Sequence, residues 1–142
     1  MKTSSIIFVL GVSFSATSFA EPPTEIGQLE KSKAKIVSRL YQATYGQTER
    51  CKKAPPEIAT EFQSELTRFI EANGKLMKQV VESKYYEPAR QNFSKHETVD
   101  PARDTPEKLG GECKYLVQLL RSMSDTPEGK KAVKEYEGTL SK

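Results

Sequence analysis

Tryptophan is absent from this chain, histidine occurs once, at His96, and cysteine only twice, at Cys51 and Cys113. Each shortage excludes a kind of chemistry. One histidine cannot build a multi-histidine metal centre. Neither C-x-x-C nor C-x-x-C-H occurs, so redox-dithiol, zinc-ribbon and covalent-haem spacings are missing. No G-x-S-x-G and no glycine-rich phosphate loop is present. His96 is the only general base that titrates near neutrality. It lies in the polar run Ser94-Lys95-His96-Glu97 and reads as a surface residue. No metal and no cofactor is expected, and the inventory leans away from an enzyme.

An excess of one charge is also lacking. Twenty-two Lys and Arg face nineteen Asp and Glu, for a formal net charge of +3. Nucleic-acid binders carry clustered basic residues and a stronger basic balance. The nearest cluster, Lys31, Lys33 and Lys35 with Arg39 beyond, turns about 200° per i,i+2 step on a helix, so it reads as a solvated face. No nucleic-acid partner is expected.

Long hydrophobic runs are missing too. The longest apolar stretch, Ile6 to Phe14, is shorter than the roughly 20 residues a membrane span needs. Lys2 precedes it, and Ser18-Phe19-Ala20 follows with small residues where a signal peptidase reads them. Residues 1–20 therefore read as a secretory signal peptide, cleaved after Ala20. The expectation is a periplasmic or secreted protein, residues 21–142, forming a single helical domain. No cysteine follows the cut, so no stable membrane anchor is expected after cleavage.

About a third of residues 21–142 are hydrophobic, a thin supply for a core. In an oxidising compartment a lone cysteine pair bonds, so a Cys51–Cys113 disulfide is expected. It would close a loop of about 63 residues, worth ~4 kcal/mol in the chain-entropy picture.

Strand-like alternation is absent, and helical spacing fills the space. Ile26, Leu29, Ile36, Val37, Leu40 and Tyr41 predict a first helix over 25–45, opened by Thr24 and stopped by Gly46. After the connector 46–56, Phe62, Leu66, Phe69, Leu76 and Val80 keep one phase. They predict one long helix over 57–84, weakened at Asn73-Gly74, with two shorter helices as the alternative. A short helix near 87–96 interrupts the irregular middle. Leu109, Cys113, Leu116, Val117, Leu120 and Met123 predict the next helix. Gly110-Gly111 points to a regular start near Glu112 and to a close backbone approach beside Cys113. Thr126-Pro127 opens the last helix.

Two echoes run through the second half. Glu87-Pro88-Ala89-Arg90 resembles Asp100-Pro101-Ala102-Arg103, and Asp104-Thr105-Pro106-Glu107 resembles Asp125-Thr126-Pro127-Glu128. Both read as reused helix starts rather than as a repeat. The sum is an all-α fold: a small helical bundle of about four main helices, antiparallel neighbours, with one disulfide.

Glu57, Glu61 and Glu65 share one helix stripe and read as a solvated acidic face. Tyr85 and Tyr86 cannot both face a core from one helix, and with Arg90 and Phe93 they form a candidate protein-binding patch. Asn92-Phe93-Ser94 fits a glycosylation sequon, which matters only in a eukaryotic secretory route. The leading expectation is an exported, non-catalytic binding protein of inhibitor, immunity or adaptor type, with a protein partner in the cell envelope. The second is a small-ligand or envelope-stress helper with a pocket lined by Phe62, Phe69, Met77, Tyr115 and Met123. The third is a cell-wall hydrolase using Glu carboxylates.

Overall fold

Five of the six prolines among the described residues lie in or beside the first turn of a helix, and the computed structural model, which describes residues 25–95 and 99–142, bears out an all-α fold. Residues 1–20, expected to be a signal peptide, lie outside the described residues, as do Thr24 and His96. The helices are α1 (Glu25–Ala43), α2 (Thr48–Cys51), α3 (Pro56–Ala72), α4 (Gly74–Glu82), α5 (Tyr86–Ser94), α6 (Pro106–Asp125) and α7 (Pro127–Leu140), with a 3-10 turn at Tyr45–Gln47. Six of them have nine residues or more, so the expected four main helices become six.

Two differences account for that count. The long helix expected over 57–84 divides at Asn73, whose φ of −120° and ψ of 39° leave the helical region. Its side-chain amide donates to the Phe69 carbonyl at 3.0 Å and to the Ser124 hydroxyl at 3.2 Å, which compensates the broken ladder. The apolar phase nonetheless survives, and Phe62, Leu66, Phe69, Leu76, Met77 and Val80 are all buried. The short helix of the middle region is α5.

Helix α6 starts six residues earlier than Glu112. Thr105 caps it, accepting from the Lys108 N–H at 3.2 Å, and Pro106 stands in the first turn. Gly110 is tolerated inside this helix because a neighbour occupies its side-chain space. A Cβ there would lie 3.1 Å from Ile58 and 3.2 Å from Pro55. The glycine admits side-chain atoms from the start of α3, and Gly111 meets nothing within 4 Å, so the expected backbone approach at this pair is a side-chain contact at Gly110 instead.

The reused helix starts behave unequally. Thr126 caps α7 as Thr105 caps α6, accepting from the Gly129 N–H at 3.0 Å. Asp100-Pro101-Ala102-Arg103 instead makes a single turn, closed by the Asp104 N–H on the Asp100 carbonyl at 2.7 Å. The turn goes no further because the Asp104 side chain is drawn inward to Arg50.

The pairing of α3 with α6 is the most extensive in the molecule, and the two run parallel. Pro55 and Ile58 sit at Gly110, Glu65 meets Arg121 and Arg68 meets Asp125. Helices α4 and α7 continue the same sense, since Gln79 bonds the Glu137 carbonyl and Ser141. The two broken arms, α3–α4 and α6–α7, therefore lie side by side and bend at the same level, where Asn73 meets Ser124. The expected antiparallel order fails here because these partners are not sequential neighbours, and the segment 83–105 returns the chain. Helix α1 packs on α5 and α7, burying Ile36, Val37, Leu40 and Tyr41. Full burial of Phe62 and Phe69 contributes roughly 1.5–3 kcal/mol each.

Candidate functional site

The disulfide joins α2 to α6, with the Cys51 and Cys113 Cα atoms 5.8 Å apart and both side chains buried. Immediately before Cys51, Arg50 is only 8 % exposed. A charge so far from water requires partners. Its guanidinium donates to both Asp104 oxygens at 3.3 and 3.4 Å and to Glu112 Oε2 at 2.8 Å. Burial opposes the Arg50 charge, but the bonds to Glu112 and Asp104 outweigh it and hold the group above its ordinary value. Asp104 also accepts from Arg103 at 3.0 and 3.3 Å and from the Asp100 N–H at 3.0 Å. Arg103 first, then that N–H and Arg50, hold its carboxyl well below the usual carboxylate range. The cluster ties α2, the 99–105 segment and α6 together around the disulfide.

Outside this cluster lies an open cleft of about 510 Å³ walled by Gln47, Phe93, Lys95, Arg103, Lys108 and Glu112, with Arg50 and Asp104 at its floor. Lys95 and Lys108 are exposed and make no ion pair among the described residues. Gln47 and Glu112 also line an adjoining, smaller groove of about 380 Å³, whose remaining walls are Gly111, Tyr115 and Leu116. Tyr115 is 65 % exposed, the largest exposed aromatic of the described residues. It stands two residues from Cys113 on a helix held by the disulfide, so the ring is presented on a rigid element.

The patch expected at 85–93 is distributed differently among its members. The Tyr85 hydroxyl donates to Glu30, and its ring lies under Lys84. Tyr86 and Phe93 meet Tyr41 edge-on, at 5.5 and 5.9 Å between ring centres. Arg90 is exposed and bonds Glu87 at 2.9 Å through Nε. Only Phe93 of the four borders the cleft.

The acidic stripe is not uniformly solvated. Glu65 is buried, between Arg68 at 2.8 Å and Arg121 at 3.3 Å, while Glu61 meets Arg121 at 3.4 Å. These carboxylates staple α3 to α6. Of the residues expected around a ligand pocket, Phe62, Phe69 and Met77 are buried core and Tyr115 points outward. Among the described residues no group of three or more His, Cys, Asp or Glu is placed to hold a metal ion. None of their helices is long and apolar enough to cross a membrane.

The chain matches no protein-family model, no curated protein and no solved structure. Sequence reasoning did not single out Arg50 or Asp104 as functional elements, and it placed Tyr115 in a ligand pocket rather than on an exposed face. The first two pair across 54 residues, and no local pattern marks such a contact. Tyr115 had a usable signal: it sits off the 109, 113, 117, 120 stripe and so belongs on the outside of α6.

Proposed function

We propose that this chain is an exported, non-catalytic binding protein of inhibitor, immunity or adaptor type that engages a protein partner in the cell envelope. The observation that carries the reading is Tyr115: a large aromatic, mostly exposed, beside an open groove, on the helix that the disulfide and the Arg50 cluster hold in place. Interface hot spots favour Tyr and Arg on pre-organised elements, where ordering costs little on binding. The disulfide is compatible with an oxidising compartment, and residues 1–20 have the layout of an export signal. The buried charges do not act as a reactive pair in this reading. Arg50 is committed to Asp104 and Glu112, and Glu65 to Arg68 and Arg121, so these charges serve the scaffold.

The test is capture from native envelope extract with oxidised residues 21–142 as bait and Tyr115→Ala as the matched control. The expected result is one stoichiometric protein held by the first and released by the second. Capture equal on both baits, or a catalytic activity that tracks the pure protein, overturns the reading.

A further inference from the structure

We infer that the partner meets this surface through an acidic segment flanked by an apolar side chain, with Lys95 and Lys108 taking the carboxylates and the Tyr115–Leu116 groove taking the apolar group. The inference rests on the binding-protein reading above and gives the partner's chemistry.

The argument starts from charge. Seven ionisable residues line the cleft: Arg50, Lys95, Arg103 and Lys108 against Asp100, Asp104 and Glu112. The acids are largely spent internally. Asp104 is shared by Arg50 and Arg103, and Glu112 is bound by Arg50. Asp100 accepts from the Ala102 N–H at 3.0 Å. Lys95 and Lys108 remain at the rim with no internal carboxylate among the described residues. The seven charges sum to +1, two of the three acids are paired with arginines inside the cleft, and the cations left over stand at its rim, so the rim attracts anions. The apolar half adjoins it directly, because Gln47 and Glu112 wall both depressions. Gly111 leaves open space beside Tyr115, with no heavy atom within 4 Å of where a Cβ would sit. A partner chain can therefore lie across the ridge, one apolar side chain in the groove and its carboxylates over the lysines. A nucleic-acid strand fits less well: the rim offers two lysines, while phosphate tracking needs a longer basic row.

Random short peptides displayed on phage test this, selected on the oxidised protein and counter-selected on Lys95→Glu/Lys108→Glu. Both substitutions are at exposed positions without ion pairs among the described residues, and melting curves check that the variant folds. The expected peptides carry adjacent carboxylates next to an aromatic or branched aliphatic residue. Their binding by fluorescence anisotropy falls about tenfold or more on the charge-reversed variant. It also weakens with added salt, and Tyr115→Ala lowers it without changing that salt dependence. Peptides without an acidic bias, or binding equal on both proteins, overturn the inference. Envelope capture that needs Tyr115 but survives the lysine reversal also overturns it while leaving the binding-protein reading standing. Acidic peptides that bind as described, with no envelope capture, remove the envelope partner and leave the site.

Discussion

Reducing the Cys51–Cys113 bond should lower the melting temperature by about 15 °C. The two cysteines are 62 residues apart, so the cross-link withholds a large part of the chain's freedom in the unfolded state. The chain-entropy relation gives ~4 kcal/mol for a loop of this length. For a folded part of about 120 residues, an unfolding entropy near 2.1 cal/mol/K per residue converts each kcal/mol into about 4 °C. The native side loses little on reduction, because Cys51 and Cys113 stay buried as thiols at positions already 0 and 1 % exposed. The comparison is therefore between oxidised and reduced wild type, by calorimetry and by urea titration. The urea slope should rise on reduction, since the uncrosslinked chain exposes more surface when it unfolds. Cys51→Ala/Cys113→Ala should melt lower still, through two small cavities. A reduced protein that melts within about 3 °C of the oxidised one, with an unchanged urea slope, would refute the reasoning.

Arg50→Met leaves Asp104 buried and deprived of one cation, and should destabilise by about 3 kcal/mol in urea titration; Arg50→Lys should restore only part, because one ammonium cannot bond both Asp104 oxygens and Glu112. Gly129→Ala should be among the most damaging substitutions, since its Cβ would press on the Ser122 carbonyl and lie 2.5 Å from Met123 Cα, whereas Gly138→Ala on the same helix meets nothing within 4 Å and should stabilise by about 0.5–1 kcal/mol. The two melting curves should move in opposite directions. Because the folded Asp104 value lies below the unfolded one, its contribution is complete above about pH 4 and is lost as the pH falls through the folded value; Asp104→Asn should flatten the stability profile in that acid range, and an identical slope in both proteins would count against the cluster.

The stripes that were legible in the sequence are those set by neighbours a few residues away. Ile36, Val37, Leu40 and Tyr41 share a face whatever packs on it, and so do Phe62, Leu66 and Phe69. The helix starts at Pro56, Pro106 and Pro127 follow from local backbone chemistry. The failures are nonlocal. Gly110 reads as a helix breaker until Pro55 and Ile58 are seen filling its space. Glu65 reads as solvated until Arg121 arrives from 56 residues away. The parallel sense of α3 and α6 cannot be read from connector lengths, because those constrain only consecutive helices. The proposed docking surface has the same character, since Gln47, Lys95 and the α6 residues Lys108 and Tyr115 come from three separate stretches.

Parallel pairing also sets a timetable for the growing chain. The apolar stripe of α3, Phe62 to Phe69, has its main partner in Leu109 to Leu120, and contacts between the two helices span 56 and 57 residues. Until α6 has been made, α3 lacks its main partner, and Cys51 has nothing to bond. A chain built from consecutive antiparallel hairpins can collapse as it emerges; this one must wait for its last third. Such distant pairing slows folding and lengthens the exposure of that stripe. On the export route proposed above, the delay keeps the chain threadable across the membrane. The same delay makes it dependent on whatever shields α3 before α6 arrives.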